Sequence, residues 1–530
     1  VYPSIVEELD DWSMPSRSLP KTSDNAPRPY ATIQHPEHRL DFNEQQPWYS
    51  LMWGVSNLVK NGNSYENQYA CISERVNAHN NTVTDEETQQ KFIKLAVQVV
   101  LEHDDNPLFY AQLTGRQKVN MEQSREQIEN GTVPETVQAS IKGDELINGN
   151  DKSVPRFLCN LSGVDFYKMG KITSELTHWL ATHSWNYLGE GTLTLGGLVS
   201  HPYLTCGSTS NLLDAFIKRA LSADKGLWQL LMGDDTLLLN RYNNTVLEND
   251  FSRYDRTQND FLLSVPNLVL LANGYDELVE FRKQQYLKPV VFKTHRKLRK
   301  PLPKLKTPSG DKPQMRMTGE AATCLDNSIN NAFSTLIAIQ AGGDITQEYA
   351  RCGLVAKAIV TDTVIYSTFL KGVFLPDVNG DFRWVRLPSW ICKFGKVLTD
   401  PFAVFKGTDK NEVARALLWA QFKGYGDMTN NWFYRRIAAH IERITGKPMV
   451  SAIELEKWQI EQTGATEDDG IVQSKVEISD EVWDTFMMKR YKVSREMMEN
   501  YLDTLEQISP SSLPCIYGND LLQIMLVRDY

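Results

Sequence analysis

Leu230-Leu231-Met232-Gly233-Asp234-Asp235-Thr236-Leu237-Leu238-Leu239 sets two carboxylates between two apolar runs. Short uninterrupted apolar runs suit buried strands, and a glycine followed by aspartate suits a tight turn, so the stretch reads as a hairpin with acids at its tip. Asp250-Phe251-Ser252-Arg253-Tyr254-Asp255 then reads as a second strand ending in acidic groups. Half-buried carboxylates do not crowd together as anions without a cation, because desolvation and mutual repulsion both oppose it. Two acidic strand ends side by side therefore imply a divalent metal site. Oxygen ligands favour magnesium or manganese, and two such ions about 3.5–4 Å apart suit in-line phosphoryl transfer. A surface turn is the plainer reading of the tripeptide alone; the apolar strand on each side favours the metal site.

The rest of the composition fits a large enzyme. The chain has 530 residues, 41% of them apolar, enough for a substantial core divided among several subdomains. No apolar run reaches the ~18–20 residues needed to cross a bilayer, and no signal-peptide pattern opens the chain. Cysteines 71, 159, 206, 324, 352, 392 and 515 show no CxxC pairing, which predicts a reducing compartment and no structural zinc. His178 and His183, five apart, would not share a helix face and read as ordinary histidines. The net charge of −10 is unevenly spread: from Lys288 to Arg316 there are ten Lys or Arg against Asp311 alone. Prolines 301, 303, 308 and 313 make that segment an extended ribbon, suited to a phosphate track or, more plainly, a solvated loop.

Further elements are legible at coarse resolution. Residues 1–50 hold seven prolines and read as an extended arm. Helical patterns appear near Gln90–Glu102, Ile172–Ser184, Asn211–Leu221 and Asn327–Gln340, with strand patterns at Val364–Leu375 and Phe382–Leu387. Residues 405–530 read as largely helical and acidic.

Several stretches resemble one family, the viral RNA-dependent RNA polymerases. Asp250 to Gln258 is similar to their motif A, an aspartate followed five residues later by another. Thr318-Gly319-Glu320-Ala321-Ala322-Thr323-Cys324-Leu325-Asp326-Asn327-Ser328 resembles motif B, a Ser/Thr-Gly loop running into a helix. Gly353 to Lys357 resembles motif D, Phe369 to Gly372 motif E, and Lys142 to Arg156 the basic motif F. With Gly233-Asp234-Asp235 as motif C, the resemblance covers roughly residues 140–375. Most such polymerases run A, B, C; here the order is C, A, B. Permuted order is a trait of the permutotetravirus and birnavirus enzymes, and birnaviruses carry Ala-Asp-Asn in motif C. The chain thus resembles the permutotetravirus enzymes and, more distantly, the birnavirus ones. Asn243-Asn244 supplies turn chemistry for the short link between motifs C and A.

That resemblance implies an α+β fold: a right-hand polymerase with fingers, palm and thumb and a permuted palm. It apportions 1–50 to an N-terminal arm, 51–227 to fingers with N-terminal palm helices, 228–262 to palm motifs C and A, 263–312 to a basic fingers insertion, 313–385 to palm motifs B, D and E, and 386–530 to a helical thumb and C-terminal region. Asp234, Asp235 and Asp250 are implied as catalytic ligands of two Mg2+ ions, with Mn2+ as substitute. Lys357 is implied as the general acid for pyrophosphate, a solvated lysine being the alternative. Lys152 and Arg156 would hold the triphosphate. Asp255, with Thr323 and Asn327 across the cleft, would recognise the ribose 2′-hydroxyl, and Thr318-Gly319 would form a mobile loop or a helix N-cap. The implied activity is RNA-templated RNA synthesis that replicates and transcribes a viral genome in the host cell cytoplasm. Implied partners are template RNA, nascent RNA and ribonucleoside triphosphates, with a second copy of the chain as a further candidate. Asp255 argues against a reverse transcriptase, where a bulky residue excludes the hydroxyl, and the intact acids argue against a non-catalytic RNA-binding protein.

Overall fold

The computed structural model describes residues 82–101, 191–288 except 207, 316–397 except 320 and 321, 409–446 except 426 and 427, 476–507 and 520–529, with shorter segments between 31 and 170 and at 290–293 and 405. Helix and sheet are mixed throughout. A six-stranded sheet organises the centre, in the order Ile359–Thr361, Thr245–Asp250, Asp235–Asn240, Leu227–Met232, Leu198–Leu204, Leu193–Leu195. Its pairings are antiparallel except that of Leu227–Met232 with Leu198–Leu204. A parallel pair needs a crossover, and helix Ser210–Ser222 lies between those two strands in the chain.

The hairpin forms as its sequence dictates. Met232 pairs with Asp235, leaving the two-residue loop Gly233-Asp234. Gly233 has φ +62° while Asp234 is not among the positive-φ residues, the combination of a II′ turn, which needs glycine at its first loop position. The chain then turns back through Arg241–Asn244, where Asn243 Oδ1 accepts from the Thr245 amide at 3.2 Å and from its hydroxyl at 2.7 Å. Thr245–Asp250 lies beside the strand that precedes it.

Side chains alternate across this sheet, and each face is closed by a separate core. On one face Leu227, Leu231, Leu238 and Leu247 meet Phe92, Leu262, Val265, Leu336 and Ile337 from helices Glu86–Ala96, Asp260–Ala272 and Thr323–Ala341. On the other, Trp228, Leu230, Leu237, Leu239 and Val246 meet Phe216 of helix Ser210–Ser222 and Phe374 and Trp384 of the hairpin Gly372–Pro376 and Phe382–Arg386. Six buried leucines in one hairpin contribute about 1.5–3 kcal/mol each. Asp214 ties helix to hairpin by accepting from the Trp384 amide at 2.7 Å, and burial pushes its carboxyl up to about 7 despite Arg383 at 3.6 Å. A second sheet, ordered Ala31–Gln34, Val290–Lys293, Val137–Ile141, Phe157–Asn160, buries Val137, Ile141, Phe157 and Phe292 with Met317.

Helices Lys410–Gly424, Trp432–Thr445, Asp480–Tyr491, Arg495–Glu506 and Asp520–Asp529 bear out the helical reading of the C-terminal part among the described residues. Their core is continuous with Val373, Leu375, Val385 and Leu387, so no core boundary falls near 385. Ser210–Ser222 and Thr323–Ala341 match expected helices, while the helix expected at 90–102 runs Glu86–Ala96, capped by Asp85 accepting from the Thr88 amide. The strand expected at 364–375 divides into Thr368–Phe369 and Gly372–Pro376. Within the expected arm, Ala31–Gln34, Gln45–Pro47 and Tyr49–Ser50 are extended but paired into sheets. Asp260–Ala272, which overlaps the expected basic insertion, packs into the central core because Leu262, Val265, Val269 and Leu270 face it. The helix expected at 172–184 and residues 294–315 of the basic ribbon lie outside the described residues.

Gly372 lies flat against the Trp384 ring, which leaves no room for a methyl group. Gly372→Ala should therefore cost about 1–3 kcal/mol through overpacking, read as a lowered chemical-denaturation midpoint. Gly380→Ala, at a positive φ with open space around it, should cost about 1–2 kcal/mol through backbone strain alone.

Candidate active site

Asp235 and Asp250 are direct cross-strand partners, so their side chains leave the same face of the sheet next to each other. Asp234 occupies the loop between strands. Burial raises its pKa, repulsion from Asp250 raises it further, and Asp255 adds to the effect; Arg156 opposes it. Asp234, Asp250, Asp255 and Arg156 thus share one electrostatic neighbourhood, although 78 residues separate Arg156 from Asp234 in sequence. Lys152 lies outside the described residues.

The hairpin tip is fastened to helix Thr323–Ala341 by side chains along one helix face. The Gly233 amide donates to Ser328 Oγ at 2.9 Å, and Asn331 Nδ2 donates to the Gly233 carbonyl at 3.1 Å. Thr236 Oγ1 donates to Asn331 Oδ1 at 2.6 Å, as does Thr335 Oγ1 at 3.2 Å. Ser328, Asn331 and Thr335, spaced by three and four residues, form a polar stripe on a buried helix. That spacing was the available signal for Asn331 and Thr335, which sequence reasoning missed.

Motif-A-like residues are held just as closely. Phe251 and Tyr254 stack with ring centroids 4.8 Å apart, and the Tyr254 hydroxyl donates to the Asn327 carbonyl at 3.0 Å. Arg253 between the two aspartates adopts φ +51°, ψ +49°, a left-handed conformation costly for arginine, which turns the strand into helix Tyr254–Thr257. Lys357 Nζ donates to Asp250 Oδ2 at 2.8 Å, with both side chains about half exposed (60% and 49%). Their backbones are also joined, the Lys357 amide donating to the Asp250 carbonyl at 3.0 Å.

Residues expected to read a ribose fall close together but bond to other partners. Arg75 Nη1 reaches both oxygens of Asp255 at 3.4 and 3.3 Å while its Nη2 donates to the Val154 carbonyl at 2.8 Å. Nothing in the sequence around Arg75 signals this role. Asn327 Oδ1 accepts from Gln258 Nε2 at 2.6 Å. Thr323 Oγ1 accepts from the Gly319 amide at 3.3 Å and donates to the Met317 carbonyl at 3.2 Å, closing the 317–319 loop onto the helix. The helix N-cap is Ala322, without a side-chain cap, so Thr318 does not fill that role. Gly319, at φ +112°, passes so near strand Phe157–Asn160 that a Cβ would sit 2.5 Å from the Cys159 carbonyl oxygen, and the Cys159 amide donates to the Thr318 carbonyl at 2.7 Å. Arg316, counted with the basic ribbon in the sequence, is instead wholly buried and ion-paired with Asp326 at 2.7 Å. An unpaired guanidinium there would carry a large desolvation cost, which the buried acid offsets.

Among the described residues no group of three or more His, Cys, Asp or Glu side chains is gathered into a ready-made metal cage. Magnesium does not require one: it is held by one or two carboxylates, with water and substrate phosphates completing an octahedron. Asp234, whose charge is made costlier by burial and by Asp250, fits that donor set together with Asp250, with Asp235 beside them.

Because the folded state raises the Asp234 pKa, its ionised form destabilises the protein above that raised value, and the cost disappears below the ordinary aspartate range. Asp234→Asn should therefore stabilise the chelator-treated protein at pH 7–8 and have no effect below about pH 3.5, measured as unfolding midpoint against pH. Added Mg2+ should raise the midpoint of the wild type more than that of the variant. Gly319→Ala should cost about 1–3 kcal/mol by overpacking and loosen the 317–319 loop, seen as faster amide exchange at Cys159.

No protein-family model matches this sequence, and no curated protein matches it. Among solved structures it is similar to a birnavirus VP1–VP3 complex, at 10% identity and a TM-score of 0.43, over 76% of this chain and 64% of that one. It is also similar to the RNA polymerase VP1 from infectious pancreatic necrosis virus, at 11% identity and a TM-score of 0.43, over 89% of this chain and 68% of that one. The chain spans less than two thirds of the first of these, and likeness at this level carries no argument about chemistry.

Proposed function

We propose that this chain is an RNA-directed RNA polymerase with a permuted palm, acting on ribonucleoside triphosphates along an RNA template in the cytoplasm of a virus-infected cell. The observation that carries the reading is the meeting of Asp234, Asp235 and Asp250 at one hairpin tip, with Asp255 and Arg156 in the same field. Two Mg2+ ions held by Asp234 and Asp250, with Asp235 assisting, would activate the primer 3′-hydroxyl and neutralise charge on the leaving pyrophosphate. Arg156 offers a fork matched to triphosphate oxygens and lies where it already offsets the charge of Asp234. Lys357 holds Asp250 in place through its ammonium and can move from that carboxylate to protonate the departing pyrophosphate. Asp255 and Asn327 flank the position a ribose would take, and a site that hydrogen-bonds a 2′-hydroxyl rejects sugars lacking it. In this reading the six-stranded sheet is the palm, the four-stranded sheet belongs to the fingers, and the C-terminal helices form the thumb.

Asp234→Ala and Asp250→Ala should each lower Mg2+-dependent, template-directed incorporation by more than about a thousandfold, equivalent to several kcal/mol of transition-state stabilisation. RNA binding, measured by fluorescence anisotropy, should stay within about threefold of wild type. Undiminished synthesis in either variant would remove these residues from the chemistry. Incorporation of ribonucleotides in preference to deoxynucleotides separates this reading from a reverse transcriptase.

A further inference from the structure

We propose that Gln258 is a positioning residue for sugar recognition, fixing which end of the Asn327 carboxamide faces the substrate; this rests on the polymerase reading above. The argument follows from which groups can only donate. Arg316 Nε and Nη2 donate to Gln258 Oε1 at 3.2 and 2.9 Å. A guanidinium has no acceptor, so the Gln258 oxygen must face it. Asn330 Nδ2 donates to the same oxygen at 3.2 Å and to the Leu262 carbonyl at 2.9 Å, and that carbonyl, which can only accept, fixes the Asn330 amide as well. Only the Gln258 nitrogen remains for Asn327, and it donates to Asn327 Oδ1 at 2.6 Å. The Asn327 oxygen is thereby committed, and its Nδ2 is the group left to donate.

Arg316 is fixed in turn. Its Nη1 donates to Asp326 Oδ2 at 2.7 Å and to the Tyr286 hydroxyl at 2.9 Å, and Arg282 pairs with the same Asp326 oxygen while donating to Asn267 Oδ1 at 2.9 Å. Arg316 and Asp326 are 0% and 1% exposed, so neither can exchange its partner for water. The resulting chain of polarity runs Asp326, Arg316, Gln258, Asn327. Its outcome matches a hydroxyl group: Asp255, three residues before Gln258, can only accept, and Asn327 Nδ2 can only donate. Together they satisfy the hydrogen and a lone pair of one ribose 2′-hydroxyl. An Asn327 turned the other way would offer two acceptors to that hydroxyl and leave its lone pair unmatched.

Gln258→Glu tests this with little change of shape. The carboxylate still accepts from Arg316 and Asn330, and it offsets the excess positive charge of the Arg282–Arg316–Asp326 cluster, but it cannot donate to Asn327. Asn327 then turns its nitrogen toward residue 258 and its oxygen toward the sugar. The full chain is assayed for kcat/KM with a ribonucleoside triphosphate and its 2′-deoxy counterpart on one RNA template. Expected is a loss of about tenfold or more in ribose preference, the worth of one hydrogen bond. Asn327→Asp, which presents an acceptor by direct substitution, should lose preference likewise. Gln258→Glu combined with Asn327→Ala should lose no more than Asn327→Ala alone. Wild-type preference in a folded Gln258→Glu, with preference still lost in Asn327→Ala, overturns the inference while sparing the polymerase reading. If Gln258→Glu does not fold, Asn327→Asp decides, and unchanged preference there overturns it. Absence of templated incorporation by the wild type with either sugar is the separate outcome that defeats the polymerase reading and the inference together.

Discussion

The ladder between Asp235–Asn240 and Thr245–Asp250 is the constraint on which the site depends. Side chains on a strand alternate with period two, so a one-residue slip would move Asp250 to the opposite face and carry Leu247 out of its core. The register is held at both ends. At one end the Asn243 side chain closes the return turn onto Thr245; at the other, Ser328 and Asn331 grip the backbone around Gly233. Between them, Leu237 and Leu239 fill one core and Leu238 the other, so a one-residue slip would exchange the shapes that each core receives. Like charges brought opposite each other oppose this arrangement, and the leucines beneath outweigh them.

Much of this was legible in the sequence because it is local. The hairpin followed from apolar runs around a Gly-Asp turn, and the returning strand from Asn243-Asn244. Ser210–Ser222 and Thr323–Ala341 followed from helical spacing. The helix at Glu86–Ala96 begins and ends before the apolar pattern suggests, because Val97, Val99 and Val100 continue that pattern while Asp85, followed by Glu86 and Glu87, is the start signal. Valines of that kind, stiff at χ1, are also weak helix formers.

What stayed hidden is the part of the site made by partners distant in sequence. Arg75 meets Asp255 from 180 positions away, and Gln258 meets Asn327 from 69. Neither pair leaves a trace in composition or period. Arg316 illustrates the reverse: it lies at the end of a basic run suited to a phosphate track or a solvated loop, yet its environment is set by Asp326, which belongs to the next helix. Charge counting along a chain sees neighbours in sequence, whereas desolvation is decided by neighbours in space.

The backbone contact between Gly319 and Cys159 has a mechanical corollary. Strand Phe157–Asn160 begins one residue after Arg156, and its Cys159 amide is bonded to the Thr318 carbonyl. A shift of the loop ahead of the long helix would pull on that strand, next to the guanidinium beside the acids. Displacement at 318–319 would therefore bear on the reach of Arg156.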